Sequence, residues 1–311
     1  MARAREDRPK AWLSWSSGKD SAYALAEVRR AGTYDVVRLL TTVTDAFGRV
    51  SMHGVREELL DAQAAAVGLP LEKVRIPYPC PNATYEREMA RALDRAAAEG
   101  VRHMVFGDLF LEEVRAYREE RLRPLGVEAV FPLWGRPTGP LAEEMVRAGL
   151  RARVCCLDPR HLPRELAGRA FDLEFLASLP SGVDPCGERG EFHTFVSEGP
   201  GFRAPVRVHV GETVEREGFV FTDLLPEQRK WGPSRSAGFG PRLGLARGGR
   251  AAGSSVAVGH GGSSPRPAGR DHLPERPRRI RGSWPERVPA SETQLSPASA
   301  DRTTSLRSPS R

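Results

Sequence analysis

The residues best suited to chemistry form a short loop near the start of the chain, Ser16-Ser17-Gly18-Lys19-Asp20-Ser21, between an apolar strand and a helix. The N–H groups and positive dipole end at the start of a helix favour an anion such as phosphate. The serine hydroxyls can donate further hydrogen bonds, and Lys19 adds a mobile positive charge. The loop is not a Walker A motif, because Asp20 follows Gly18-Lys19 and no upstream glycine has the required spacing. The simpler alternative is that Asp20 or Ser21 only caps the next helix.

A second group of ionisable side chains, Glu188, Glu191 and His193, lies within six residues in a glycine-flanked turn that enters a strand. Because side chains alternate along a strand, Glu191, His193 and Phe195 share one face. Two carboxylates and an imidazole could hold Mg²⁺, bind an amine or move a proton. The alternative is a solvated turn with a capping glutamate.

The elements that must position these groups alternate between strand and helix. Apolar runs predict strands over 11–15, 35–43, 71–76, 101–106 and 127–131, and apolar periodicity predicts helices over 22–30, 55–67, 85–98 and 111–122. This alternation is typical of an α/β fold with a doubly wound, mostly parallel sheet.

The order of the strands predicts where a ligand binds. If the order is 3-2-1-4-5, the sheet reverses between the first and fourth strands, and ligands bind beyond the carboxyl ends of strands at such a point. The serine-rich loop follows the first strand and Gly107-Asp108 follows the fourth, so both should face one crevice. Asp108 would then contact Mg²⁺ or the acceptor substrate. The alternative for Asp108 is an ordinary helix cap.

The second part of the chain has a looser pattern. It predicts helices over 141–148 and 172–179 and strands over 151–157, 206–210 and 218–222. We expect residues 131–225 to form a smaller α+β portion packed over the crevice. Residues 226–311 read as a disordered tail rich in Arg, Gly, Pro and Ser, because so few apolar residues cannot offset the entropy of ordering.

Composition excludes several classes of protein. The net charge is +7 over 311 residues, but residues 231–311 contain 14 Arg, no Lys and 5 acidic residues, which leaves a net charge of −2 for the rest. Nucleic-acid binding by the folded part is therefore not expected. No apolar run approaches the roughly 20 residues of a membrane helix. The N-terminal residues lack the hydrophobic centre of a secretory signal, and the four cysteines show no disulfide framework, so we expect a cytoplasmic protein.

Two motifs carry a resemblance to a known family. The serine-rich loop resembles the Ser-Gly-Gly-x-Asp-Ser pyrophosphate loop (PP-loop) of ATP pyrophosphatases, with Ser17 in place of one glycine, a change that should cost little if the position does not need positive φ. Residues 187–194, Gly-Glu-Arg-Gly-Glu-Phe-His-Thr, resemble the Glu-x-Gly-Glu-aromatic-x-Thr signature of the diphthine–ammonia ligase (diphthamide synthetase) family. Three further segments match in order and spacing: 51–56, Gly107-Asp108 and Pro132-Leu133-Trp134. The resemblance covers about residues 11–225 and is greatest to the bacterial branch.

The resemblance implies a Rossmann-like fold of the adenine nucleotide alpha hydrolase type, with residues 1–130 binding ATP and residues 131–225 binding an acceptor. It implies that a carboxylate takes AMP from ATP, that pyrophosphate leaves and that ammonia then displaces AMP. ATP would contact Ser14, Ser16, Ser17, Gly18, Lys19, Asp20, Ser21, Thr41, Thr42 and Gly107, with Mg²⁺ on Asp20 and Asp108. The expected catalytic residues are Asp108, Glu188, Glu191 and His193, and the acceptor would contact His53, Trp134 and Thr194.

The acceptor and two rival functions stay open at this point. Diphthine is a modified histidine of a eukaryotic and archaeal translation factor, so a bacterial chain would need another carboxylate, and Arg189 would reshape its pocket. One rival is a PP-loop enzyme that thiolates tRNA through cysteines. Cys155 and Cys156 are a poor redox pair for this, because adjacent residues of a strand point to opposite faces. The other rival is a non-catalytic ATP-binding sensor.

Overall fold

Strands and helices alternate along residues 8–227, the part of the chain that this computed structural model describes. The strands are β1 (Lys10–Ser14), β2 (Asp35–Thr44), β3 (Arg49–Val50), β4 (Leu71–Ile76), β5 (His103–Val105), β6 (Glu128–Val130), β7 (Arg151–Leu157), β8 (Ala170–Phe171), β9 (Phe192–Glu198), β10 (Val208–Arg216) and β11 (Phe219–Pro226). The helices are α1 (Lys19–Ala31), α2 (Glu57–Val67), α3 (Asn82–Ala98), α4 (Glu112–Leu122), α5 (Thr138–Arg147) and α6 (Leu173–Ala177).

The first sheet has the predicted strand order. Its parallel strands lie in the order β4-β2-β1-β5-β6, and the short β3 pairs antiparallel with β2. The order in which successive strands are added to the sheet therefore reverses between β1 and β5, as the sequence predicts. Strand β3 was not predicted, because its two residues are too few to show a periodic pattern.

Both faces of this sheet are buried, which confirms the doubly wound α/β class. Along β1, Leu13 packs in one apolar cluster with residues of α1 and α2, whereas Trp12 packs in a second cluster with residues of α3 and α4. Helix α1 ends at Gly32, whose φ of 66° places it in the left-handed region that stops a helix at low steric cost.

The second sheet is antiparallel and completes the predicted α+β portion. Strand β7 pairs with β9 along one edge and with β8 and β11 along the other, and β10 pairs with β11. The last hairpin is longer than predicted, because the outer strand β10 is largely exposed and carries polar residues that hide its periodicity. Strand β8 was missed because it has only two residues.

Strand β9 also binds the serine-rich loop of the first sheet. The amide of Val196 donates to the Ser17 carbonyl over 3.0 Å, and the amide of Lys19 donates to Thr194 Oγ1 over 3.1 Å. Gln63 of α2, which has no exposed surface, donates to both the Ser17 carbonyl (3.0 Å) and the Val196 carbonyl (2.6 Å) and accepts from Trp15 Nε1 (3.0 Å). The two sheets are therefore joined at the loop by buried hydrogen bonds.

The described structure ends where the amide of Glu227 donates to the Arg207 carbonyl. The predicted disorder of the tail concerns residues that lie outside the described range from 228 onward. Among residues 8–227, no helix has the length and apolar character needed to cross a membrane.

The role of Gln63 leads to a first prediction. Gln63→Met keeps the side-chain volume but leaves the Trp15 indole N–H without a partner, at a cost of about 1–3 kcal/mol. It also removes one hydrogen bond from the Val196 carbonyl and one from the Ser17 carbonyl, which still accepts from the Val196 amide, at about 0.5–1.5 kcal/mol each. We expect the free energy of unfolding, measured by urea denaturation, to fall by about 3 kcal/mol. Glu58→Met, at an exposed position of the same helix, is the control. Equal stability of the two variants would show that the Gln63 bonds do not hold the loop.

Candidate active site

The serine-rich loop has the geometry expected of an anion site. Helix α1 begins at Lys19, and its N-cap residue is Gly18, which makes no side-chain capping bond. The simpler alternative, in which Asp20 or Ser21 caps the helix, is therefore wrong. Instead, Ser21 Oγ lies 3.2 Å from Ser16 Oγ and donates to the Gly18 carbonyl over 3.0 Å. These bonds fix the turn so that the start of the helix faces the carboxyl end of the sheet.

Ser17 adopts a left-handed backbone conformation. Its φ is 71°, its side chain is fully buried, and its hydroxyl has no hydrogen-bond partner among the described residues. The position therefore does need positive φ, and the expectation that serine costs little there does not hold. A non-glycine residue in this region is strained by roughly 1–2 kcal/mol.

Lys19 is held rigidly, and the prediction of a mobile charge is wrong. Its side chain is 2% exposed, and its ammonium donates to Asp20 Oδ2 over 2.8 Å and to the Cys186 carbonyl. The rings of Phe192 and Phe171 lie 5.3 and 5.7 Å from the ammonium nitrogen. Burial alone would lower the pKa of Lys19, but the Asp20 carboxylate and other nearby negative groups raise it above its usual value. Lys19 is therefore a fixed positive charge at the loop.

The second predicted arm of the site, Gly107-Asp108 after β5, lies against the loop. A Cβ atom at Gly107 would lie 2.8 Å from both the Asp20 carbonyl carbon and the Ser21 nitrogen, so only glycine allows this approach. Asp108 accepts two hydrogen bonds from Arg118 of α4, at 2.8 and 3.1 Å. The predicted crevice between β1 and β5 is therefore present.

Arg118 was not found from the sequence. Its guanidinium lies 4.4 Å from the Phe106 ring centre, and Arg118 lines the crevice. Arginine in a helix rich in charged residues gives no distinguishing signal, since a solvated helix face has the same composition.

Glu188 and two histidines, His53 and His193, also line the crevice. Glu188 Oε1 accepts from the Leu109 amide over 2.8 Å. Burial, and then the charge of Asp20, raise the pKa of Glu188 to about 8. The rings of His53 and His193 lie 4.5 Å apart. Burial lowers the pKa of His53 to about 4 and that of His193 well below its usual value, so both imidazoles are neutral near pH 7.

These groups share one cleft, hereafter the cleft. It is lined by Ser14, Ser16, Gly18, Lys19 and Asp20, by Met52 and His53, by Phe106, Gly107, Asp108 and Arg118, and by Gly187, Glu188, Phe192, His193 and Thr194. An adjoining pocket, the Thr41 pocket, lies at the carboxyl end of β2 and is lined in part by Thr41 and Thr42. Five residues are common to both spaces: Ser14, Ser16, His53, Phe106 and Arg118. The cleft is narrow, about 130 Å³, so a nucleotide requires wall side chains such as Arg118 to move.

Four predicted site residues line neither the cleft nor the Thr41 pocket. Ser17 and Ser21 stabilise the loop from within. The Ser17 carbonyl accepts from the Val196 amide, and the Ser21 hydroxyl donates to the Gly18 carbonyl. Glu191, expected to share a face with His193, precedes β9 and is 2% exposed; its carboxylate accepts from the amides of Asp184 and Arg189, each over 3.0 Å. It therefore holds the turn that carries Glu188. Trp134 packs edge-on against Phe131 under the Arg115 guanidinium, away from the cleft lining.

The cleft contains one carboxylate oxygen that suits a cation such as Mg²⁺. Asp20 Oδ1 is buried without a hydrogen-bond partner among the described residues, and such an atom suits a cation. No group of three or more His, Cys, Asp or Glu in the described chain could hold a metal by itself. Mg²⁺ is commonly held by only one or two carboxylates together with phosphate oxygens, which Asp20 and bound phosphates can provide. Asp108 could also coordinate Mg²⁺ only if its hydrogen bonds to Arg118 break.

The cysteines do not resemble reactive thiols. All four are unpaired, and Cys155 and Cys156 point into different apolar clusters, as expected for neighbours on a strand. Burial raises the pKa of Cys155 to about 12 and raises the pKa of each of the other three thiols. Because the thiolate is the reactive form, this disfavours thiolation through these residues.

Comparison with known proteins identifies similar chains. The model of the diphthamide synthase N-terminal domain matches residues 10–129, and that of its C-terminal domain matches residues 138–224. A diphthine–ammonia ligase of Danio rerio is 27% identical over 231 residues, which cover 67% of this chain and 90% of the relative. A diphthine–ammonia ligase of Mus musculus is 26% identical over 236 residues, covering 67% and 86% respectively.

The strain at Ser17 leads to a second prediction. Ser17→Gly removes the steric cost of positive φ and the unpartnered hydroxyl, although glycine gains entropy in the unfolded state. We expect a net gain of about 0.5–1 kcal/mol in the free energy of unfolding. Ser17→Ala removes only the hydroxyl, so it separates the two causes. A loss of stability in Ser17→Gly would contradict the strain at this residue.

The raised pKa of Glu188 leads to a third prediction. A carboxyl whose pKa is higher in the folded state stabilises the fold below its unfolded pKa, and this stability is lost as pH rises through the folded pKa. Without Mg²⁺ or nucleotide, Glu188→Gln should match the wild type near about pH 4.5 and melt at least ~2 °C higher near about pH 9. Thermal melts across this range, with the exposed Glu198→Gln as control, test the shift. Parallel melting curves would contradict it.

Proposed function

This chain belongs to the diphthamide synthase family, and on that premise we propose that it joins ammonia to a carboxylate at the expense of ATP, with release of AMP and pyrophosphate. The observation that carries the proposal is the hydrogen bonding of β9 to the serine-rich loop. The amide of Lys19 in the loop donates to Thr194, and the neighbouring His193 lines the same cleft. A group bound near Glu188 and His193 would therefore lie next to the phosphates of ATP.

The proposed reaction has two balanced steps. An oxygen of the acceptor carboxylate attacks the α-phosphate of ATP, and the bond to the β-phosphate breaks, which gives an acyl adenylate and pyrophosphate. Ammonia then attacks the acyl carbon, the bond to AMP breaks, and the amide, AMP and one proton are the products. Both steps develop negative charge on phosphate oxygens, which fixed positive groups stabilise.

Residues of the loop serve the first step. The fixed ammonium of Lys19 and the N-terminus of α1 would bind the pyrophosphate, and Gly107 allows close packing at the same point. Asp20 would hold Mg²⁺, which when bound neutralises the charge of the leaving pyrophosphate. Thr41 and Thr42, at the pocket beside the loop, would contact the adenine.

Glu188 and the histidines serve the second step. A carboxyl with a pKa of about 8 takes up and releases protons near neutral pH, as a general acid or base must. We assign Glu188 the proton that ammonia loses. The neutral imidazoles of His53 and His193 can accept hydrogen bonds from ammonia without adding positive charge. Glu191 is a positioning residue for Glu188 through the turn between them.

The acceptor is proposed to be a carboxylate other than diphthine. The relatives are named for diphthine, but the motifs of this chain resemble the bacterial branch of the family, where the diphthine-bearing factor is not expected. Arg189 in the Glu-x-Gly-Glu segment further supports a different acceptor. A sensor that binds ATP without cleaving it is the rival function, and turnover decides between the two.

A panel of carboxylic acids tests the function. With ATP, Mg²⁺ and ammonium, an accepted acid should yield AMP, pyrophosphate and the amide in equal amounts, measured by chromatography. Glu188→Gln should lower turnover about 10²–10⁴-fold with little change in ATP affinity. Lys19→Met should weaken the ATP step itself. Exposed residues of the same types supply the controls Glu198→Gln and Lys10→Met.

The products decide between the candidates. Formation of ADP and phosphate in place of AMP and pyrophosphate would contradict the proposed reaction. ATP binding without turnover over the whole panel would favour the sensor. Wild-type rates in Glu188→Gln on every accepted acid would remove Glu188 from the mechanism.

A further inference from the structure

A second, larger cavity opens beside the cleft on the side of the antiparallel sheet. It measures about 530 Å³ and is hereafter called the Phe221 cavity, for the buried ring at its base. Its size falls within the range of roughly 300–1,000 Å³ that is typical of small-molecule sites. ATP would leave this volume free, because it would occupy the loop and the Thr41 pocket.

The Phe221 cavity and the cleft share lining residues. Met52 and His193 line both spaces. The segment that puts Glu188 in the cleft continues as Arg189 and Gly190 in the wall of the cavity. A molecule in the cavity can therefore reach past His193 with one end and meet the proposed reaction centre.

The cavity combines an apolar base with a charged rim. Cys156 and Phe221, both at most 2% exposed, and the neighbouring Phe219 form the apolar part. This base suits a hydrocarbon segment of a ligand, since burial of apolar surface is favourable by about 25 cal/mol per Å². The rim carries ionisable groups of both signs, so its charge depends on which of them are already paired.

Most rim charges are neutralised within the protein. Asp158 accepts from Arg160, with both of its oxygens within 3.0 Å of Nε. Glu215 is paired with Arg164 at 2.6 Å.

Arg189 differs from these rim residues. It is exposed, its guanidinium lies 5.7 Å from the Phe110 ring centre, and no carboxylate of the described chain lies within ion-pair distance of it. Its backbone is fixed at the same time, because its amide donates to Glu191. An exposed guanidinium without a carboxylate partner, carried on a fixed backbone, suits a ligand anion.

We propose that the Phe221 cavity binds the body of the acceptor, and that Arg189 selects an acceptor with a second anionic group at the far end of an apolar chain. This inference rests on the proposed function, since it places the reacting carboxylate of that acceptor in the cleft. Arg189 is then a specificity-determining residue at the variable position of the Glu-x-Gly-Glu segment.

Three acids with one five-carbon skeleton test the proposal: pentanoate, glutarate and 5-aminopentanoate. In the AMP-release assay with ATP, Mg²⁺ and ammonium, we expect kcat/KM for glutarate to exceed that for pentanoate at least ~10-fold, a ratio that one charge contact can supply once the bound acceptor excludes water from it. Arg189→Gln should abolish this preference by raising the KM for glutarate without changing the KM for ATP. Arg189→Glu should shift the preference to 5-aminopentanoate. Arg147→Gln, at an exposed arginine of α5, is the control.

A binding measurement separates this proposal from the proposed function. With α,β-methylene-ATP and Mg²⁺ present, glutarate should raise the melting temperature of the wild type more than pentanoate does, and Arg189→Gln should lose the difference. An Arg189-dependent shift without AMP release from any acid would support the cavity and contradict the function. AMP release that is equal for all three acids and insensitive to Arg189 would support the function and overturn the cavity proposal. No shift and no AMP release would overturn both.

Discussion

The structure depends on a buried hydrogen-bonded junction between the serine-rich loop and strand β9. Gln63, with no exposed surface, joins the carbonyls of Ser17 and Val196, and the amide of Lys19 donates to Thr194. Buried backbone groups must be paired, so this junction fixes the loop and the second sheet relative to each other. The cleft exists because the two halves of its wall, 175 residues apart in sequence at Lys19 and Thr194, are held at bonding distance.

The junction also sets the electrostatics of the site. It encloses Lys19 next to Asp20, and it brings the carboxyl of Glu188 close enough for Asp20 to help raise its pKa to about 8. The site therefore has a fixed positive charge at the loop and, beside it, a carboxyl whose pKa is raised. The proposed amidation uses the first for phosphate and the second for the proton that ammonia loses.

The sequence predicted the parts of this arrangement that depend on local patterns. The strand order, the turn before α1 and the approach of Gly107 follow from periodicity and from glycine placement. The sequence could not show that the Cys186 carbonyl immobilises Lys19, that Glu191 turns inward to bind backbone amides, or that Trp134 faces away. Each of these outcomes depends on contacts between parts of the chain that are distant in sequence or on the backbone conformation of a turn. The type of the residue alone does not reveal either. The same holds for Arg118, which is one of many helical arginines until the fold places it at the cleft.

A crystal structure of the protein with Mg²⁺ and α,β-methylene-ATP tests the central claim most directly. We expect the triphosphate on the segment Gly18 to Asp20 at the start of α1, the adenine beside Thr41 and Thr42, and the α-phosphate facing Glu188 and His193. A nucleotide bound away from the serine-rich loop, or with its α-phosphate turned away from Glu188, would contradict the single site for ATP and acceptor.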